Sequence, residues 1–412
     1  MRDMRRRQAQ AAMPADRVTD LAGLAHMESL TNVRARRPQA LPDYSITDLM
    51  PLCSLSCLTA LDLSHCLRIG NLTPLSSLSA LSSLDISRCI KIDDLTPLSG
   101  LASLSVLDMS YCDNIIDLVP LFGLSALSSL KAKGCEGIIE IPPEISRLTM
   151  LQSLDLSKCD FIRGLAALSG ISCLRTLDIS KCDLLRDLSP LAQLPDLSAL
   201  KLRRMSIPHL NSLTGSTTLT SLDVSNSWSI TDLSPVSGFR ALRDLNINGC
   251  SHIRSLAPIS ALSALSKLDA GNCCAVSDLN PLSSLSALSS LDIRCCNKIS
   301  DLGPLSRLSA ICALSFRGCY LVSTLTPLSR LVALSDLDMS CCEKITDLGP
   351  LSGLSALRSL SIILCGGITN LTPLSRLSAL STLNMSGCSP HIDLAPLAGL
   401  PLLQSALVGV VR

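Results

Sequence analysis

At 412 residues, a chain of ordinary domain size would fold as two or three globular bodies. Hydrophobic residues make up 47% and aromatics only 2%, so the core is built from aliphatic side chains of one size. The formal net charge of +1 excludes the strong positive field that nucleic acids select. Ser or Asp interrupts every apolar stretch before it reaches membrane-spanning length.

Residues 1–17 form a polar tail carrying Arg2, Arg5, Arg6 and Arg7. It lacks the apolar segment of a secretory signal and reads as a disordered start, with a basic targeting address as the alternative. Residues 18–60 read as a degenerate N-terminal repeat and cap, since VTDLAGLAHMESL and SITDLMPLCSLSCL echo the units downstream of them.

From Leu61 the echo becomes a strict register over 61–405. Strand-start leucines fall at Leu61, Leu84, Leu107, Leu130, Leu154, Leu177, Leu200, Leu222, Leu245, Leu268, Leu291, Leu314, Leu337, Leu360 and Leu383, giving 15 repeats. Twelve of the 14 intervals are 23 residues; 130 to 154 is 24 and 200 to 222 is 22. A period in this range is the signature of a solenoid, in which no repeat buries its own apolar face and stacking makes one elongated core.

The stretch Leu337–Ser359, LDMSCCEKITDLGPLSGLSALRS, shows the unit most clearly. Side chains alternate along a strand, so Leu337 and Met339 face the core while Asp338 and Ser340 face out. Ile345, Leu348, Leu351, Leu354 and Leu357 return along the far side at a spacing that predicts 3₁₀ turns rather than an α-helix. A Pro recurs at the place of Pro350 in 13 of the 15 repeats, often after Ser, Thr or Asn. That pairing predicts a capping residue followed by Pro at the first helical position. Residues 406–412 begin one more strand, whose edge is expected to pair with a second copy unless the chain is a shortened product.

The unit resembles a leucine-rich repeat. Its ITDLxPLxxLxxL half is similar to the internalin-like class and its CxxIT/SD half to the cysteine-containing class of ubiquitin-ligase substrate receptors. IPPEISRLTMLQSLDLS from Ile141 is similar to the plant and receptor-scaffold variant. The resemblance implies an α/β-type solenoid, a horseshoe with a parallel sheet on the concave face and short 3₁₀ turns or irregular segments on the convex face. The family shares an architecture for binding and no common chemistry.

Of the 20 cysteines, 13 sit five residues after the strand start: Cys66, Cys89, Cys112, Cys135, Cys159, Cys182, Cys250, Cys273, Cys296, Cys319, Cys342, Cys365 and Cys388. The period explains them as a ladder of buried thiols, each standing where the family usually places an Asn. So many adjacent thiols fit a reducing, intracellular setting, cytoplasmic or nuclear. They offer no metal site, since no His is interleaved with them. The ladder is expected to fail at Met205 and Ser227.

The five histidines are scattered. His65 lies near Asp62 and Ser64, but Ser and Asp recur on this face by repetition and no oxyanion donor accompanies them. No phosphate or dinucleotide fingerprint is present. The expectation is a protein that is not an enzyme and needs no cofactor.

The position after the strand start carries Asp in nine repeats: Asp62, Asp85, Asp108, Asp155, Asp178, Asp223, Asp269, Asp292 and Asp338. Local hydrogen bonds to the residue two further on account for the column; an acidic groove for a basic partner is the alternative. The column is interrupted by Lys131 and Lys201, which begin the two off-length intervals. Lys133, Arg203 and Arg204 add donors, and the lone tryptophan, Trp228, stands just beyond. Arg and Trp are the residue types that anchor interfaces. The candidate partner-binding set is Lys131, Lys133, Asp155, Asp178, Lys201, Arg203, Arg204, Asp223 and Trp228. A second register, Arg307, Arg330 and Arg376, reads as a solvated stripe. The function expected is a scaffold that recognises a protein partner, and no nucleic acid, through its concave face. The alternatives are a regulatory or substrate-receptor subunit of a ubiquitin ligase or phosphatase complex, or a surface adhesion protein.

Overall fold

The computed structural model describes residues 21–27, 29–34, 46–207, 209–389, 391–403 and 405–407. The basic tail and most of the last seven residues lie outside them. The chain divides into two compact units at Lys201/Leu202.

In the first unit, eight three-residue strands from Asn32–Arg34 to Ala199–Lys201 pair in parallel and in sequence order. Each strand-start leucine faces the next across the ladder, as Leu130 faces Leu154. The second unit repeats this with nine strands from Ser221–Asp223 to Ser405–Leu407. Val33, ahead of the first regular repeat, pairs with Leu61, and Ala406 pairs with Leu383. Among the described residues, the opposite side consists of short 3₁₀ helices such as Thr73–Ser77 and Gly349–Leu351. The return leucines are sealed: Leu348, Leu351, Leu354 and Leu357 are at most 1% exposed. Each unit is therefore a leucine-rich-repeat solenoid of parallel strands backed by 3₁₀ turns.

Both off-length intervals are absorbed in the same segment, between the strand and its 3₁₀ helix. Regular repeats start that helix 12 residues after the strand leucine, as at Thr73. The Leu130 repeat starts it at Pro143, with Pro142 extended at φ −65°, ψ 144° in the extra place. The Leu200 repeat starts it one residue early, at Asn211. Strand register survives because buried leucines on both sides penalise a slip.

The 3₁₀ turns are not capped as expected. The Ser, Thr or Asn before Pro is the first residue of the turn, and the preceding Leu makes no side-chain cap bond. The cap comes from the Asp of ITDL. The Oδ1 of Asp94 accepts the Thr96 N–H at 2.8 Å, and Asp117, Asp187 and Asp347 do the same two residues on. Asn71 and Asn370 substitute for Asp with the same geometry. Proline fixes φ without being indispensable, since Ala166–Gly170 and Asn211–Leu213 form turns without it.

Candidate functional site

The strand face is built by a second Asx turn. In each of the nine Asp repeats the Asp carboxylate accepts the backbone N–H two residues later, as Asp62 does from Ser64 at 3.0 Å and Asp155 from Ser157 at 2.8 Å. Asn246 and Asn384 make the same bond. This local bond accounts for the Asp column. It also corrects the outward placement of the serines: Ser64, Ser157 and Ser340 are buried, Ser340 completely. The Ser64 and Ser340 hydroxyls donate to Asp62 and Asp338. Ser64 thus spends its proton on the carboxylate beside it, which is not the arrangement of an activated nucleophile.

The strand then ends in a left-handed residue. All 15 positions four after the strand leucine have φ between 55° and 75°. Only Gly134, Gly249, Gly318 and Gly387 are glycine; the others include His65, Arg88, Tyr111, Lys158, Lys181, Arg204 and Leu364. The left-handed region costs a side chain about 1–2 kcal/mol, offset by a backbone bond to the next repeat, as the Arg88 N–H donates to the Ser110 carbonyl at 2.7 Å and the Leu364 N–H to the Ser386 carbonyl at 2.9 Å. Sequence reading missed this column, because its residue types share nothing but a position.

Three of those glycines, Gly134, Gly249 and Gly387, make room for the side chain one repeat earlier. A Cβ at Gly134 would sit 2.6 Å from the Tyr111 ring, and one at Gly249 would sit 2.7 Å from the Asn226 side chain. Tyr111 therefore lies over Gly134. The Arg88 guanidinium stacks 4.4 Å from its ring centroid, and Lys158 Nζ donates to its hydroxyl at 3.1 Å. Arg88, Tyr111 and Lys158 form one rigid amphipathic step on the edge of the first unit.

The sequence candidates fall on both units. In the first, Lys131 projects from the face but pairs with Asp108 at 3.5 Å, and Lys201 reaches Asp178 at 4.0 Å. Asp155 lies beside Lys131 in register. Among the described residues no ion pair engages Lys133. In the second unit Arg203 Nε donates to Asp223 Oδ2 at 2.6 Å, with Asp223 only 8% exposed. Three of the five expected donors are thus already engaged with the Asp column, and such half-exposed pairs contribute about 0–1 kcal/mol each. Arg204 occupies the left-handed position. Trp228 is 65% exposed. Its register neighbours Ser206 and Ser251 are small, and His252 Nδ1 donates to its carbonyl at 2.7 Å.

Behind this face runs the thiol ladder. Cys112 Sγ donates to the Ile86 carbonyl and Cys135 to Met109, both at 3.1 Å, and the pattern repeats through Cys388. The longer repeat lengthens the separation to 27 residues, and Cys159 still donates to the carbonyl at the same place in the preceding repeat, that of Ala132. The expected failure at Ser227 does not occur: its hydroxyl donates to the Leu202 carbonyl at 3.0 Å and accepts the Met205 N–H. At Met205 a thioether replaces the donor. Twelve of the thirteen ladder thiols are buried and Cys388 is half-buried. Burial pushes the Cys112 and Cys342 thiols up to about 12 and Cys250 to about 11, against the smaller lowering effect of the backbone bonds. They are therefore protonated donors at neutral pH. Among the described residues no group of ligating side chains could hold a metal ion.

A family model described as a leucine-rich repeat region matches residues 80–317, more than half of the chain. The chain belongs to the leucine-rich-repeat family. No curated protein matches it by sequence. This leucine-rich-repeat chain is similar in structure to a leucine-rich-repeat protein of Leptospira interrogans, 17% identical, with 90% of this chain and 88% of that one covered at a TM-score of 0.69. The functional domain of InlJ from Listeria monocytogenes, described as including a cysteine ladder, is 20% identical. It aligns over 89% of this chain and 79% of its own, with a TM-score of 0.56. TLR13 in a complex with ssRNA13 is 19% identical over 88% of this chain and 62% of its own, with a TM-score of 0.57. At these identities the likeness is one of fold.

Proposed function

We propose that this protein is a non-enzymatic scaffold that recognises a protein partner through the strand face of its repeats and the rim beyond it. The observation that carries the reading is the left-handed column: one backbone geometry at 15 layers presents side chains that differ from layer to layer. Discrimination between partners requires such differences, and the basic residues Lys131 and Lys201 that interrupt the otherwise uniform Asp column add to them.

In the first unit the proposed recognition residues are Lys131, Lys133, Asp155, Asp178 and Lys201, joined by the Arg88, Tyr111 and Lys158 step. In the second they are Arg203, Arg204, Asp223 and Trp228. Mixed charge at a net of +1 suits a protein better than RNA, which calls for a larger positive field. So many unpaired thiols in adjacent repeats suit a reducing compartment. No helix among the described residues is long and apolar enough to cross a membrane.

The test starts from affinity capture of partners in the native cell, followed by binding measurements with variants. Trp228→Ala, and Arg203→Ala with Arg204→Ala, should each weaken the captured complex by about 1–3 kcal/mol, with Asp338→Ala and Arg330→Ala as controls. Unchanged affinity in the first group with loss in the controls would move the surface to the C-terminal repeats.

A further inference from the structure

A hollow of about 560 Å³ opens on the edge of the second unit, lined by Tyr320, Cys341, Glu343, Leu364, Gly366, Gly367 and Gly387. Its origin is legible layer by layer. The two places that hold Tyr320-Leu321 and Glu343-Lys344 in successive repeats hold Gly366-Gly367 in the next. At Gly366 a Cβ would meet nothing within 4 Å, so the side chain missing there opens the floor; at Gly367 a Cβ would sit 2.9 Å from the Glu343 carbonyl oxygen, so that glycine lets the chain pass close to the layer before. Gly387 supplies the far wall indirectly. A Cβ there would sit 2.5 Å from Leu364 Cδ2, so its absence lets Leu364, at φ 56°, lie over it. Four layers at about 4.8 Å make a trough roughly 14 Å long.

The lining has one chemical character. Glu343 is its one charged residue among those described, and it is exposed. Tyr320 is 51% exposed and Leu364 49%, so an aromatic ring and an aliphatic side chain share the trough with the carboxylate. A carboxylate beside an aromatic ring attracts a cation from two sides, and an aliphatic wall suits the methylene stem of a long basic side chain. We propose that this trough is a second binding site, separate from the surface proposed above, that takes an arginine or lysine side chain presented by a protein partner. Arginine fits better, since its planar guanidinium stacks on a ring and binds a carboxylate through two bonds at once.

The test uses the full chain and two small probes, Nα-acetyl-arginine amide and its uncharged isostere Nα-acetyl-citrulline amide. Saturation-transfer NMR reads binding directly. The rate of Cys341 alkylation by N-ethylmaleimide, mapped by peptide mass, reads location, with the exposed Cys312 as internal control. The arginine probe should bind at least about fivefold more tightly than citrulline, because only it carries charge to Glu343. At saturation it should slow Cys341 by about threefold or more, by mass action on an occupied trough, and leave Cys312 unchanged. Glu343→Gln should erase the preference between the probes. Gly366→Leu should abolish binding; a Cβ at Gly366 meets nothing within 4 Å, so that variant fills the trough without disturbing the fold. Equal binding of the two probes, or arginine binding that survives both substitutions, overturns the proposal. So does equal slowing of Cys312, which would mark a general effect on thiols.

Discussion

Two columns run through the repeats and differ in kind. The cysteine column, five after the strand leucine, does one job with one atom: a buried donor satisfies a carbonyl of the preceding repeat, and where Cys gives way to Ser227 the bond persists. The neighbouring column, four after the leucine, keeps one backbone conformation and lets the side chain vary from Gly to Leu, Lys and Tyr. A solenoid divides labour in this way. Positions whose side chains close the backbone are held constant, and positions whose backbone is closed by others are free to specify.

Filling a glycine of the variable column should disturb this division most. Gly134→Ala should destabilise by about 2–3 kcal/mol, combining left-handed strain with overpacking against Tyr111. Gly353→Ala, where a Cβ meets nothing within 4 Å, should be near neutral. If Tyr111→Ala restores part of the loss at Gly134 in chemical denaturation, the ring is the obstacle; no restoration would leave strain alone.

Next comes the constant column. Cys273→Ala should cost about 1–2 kcal/mol, since it removes a buried sulfur and the donor to the Ile247 carbonyl. Cys388→Ala, at a half-buried site, should cost less. Native thiol titration should leave the buried ladder unreactive and expose all 20 thiols on denaturation without reductant. A low count after denaturation would mean disulfides.

A smaller effect tests the Asp column. Asp85 stands between Asp62 and Asp108 on adjacent strands. Burial raises its pKa above 3.8, opposed by the bonds from Ser87 and aided by its two acidic neighbours. A carboxyl raised in the folded state binds more protons folded than unfolded, so stability falls as pH rises from below 3.8 through the folded value. Asp85→Asn should therefore stabilise by about 0.2–1 kcal/mol at neutral pH, with the gain vanishing below the unfolded pKa. Asn246 and Asn384 show that an amide makes the required bond. A loss of stability at neutral pH would mean that the charge itself is needed. The least change is expected at Trp228→Ala, under about 0.5 kcal/mol on folding for so exposed a side chain; a larger loss would make Trp228 structural.

The repeat, the strand positions, the 3₁₀ return and the buried thiols were all legible in the sequence. Each is written as a residue type recurring at a fixed interval, and stacking turns a recurrent apolar side chain into a core. The left-handed column was not legible, because a backbone conformation shared by Arg88, Tyr111, Cys341 and Leu364 has no common side chain to announce it. Sequence placed Lys131, Lys201 and Arg203 as outward donors for a partner, whereas the carboxylates that engage them lie about 20 residues away along the chain and adjacent only across the ladder. Strand alternation put Ser340 on the surface, but the turn after it closes over it. The trough at Gly366 and Gly367 was likewise out of reach. A missing side chain becomes a cavity only when the layers on either side stand fixed around it, and that is decided by packing.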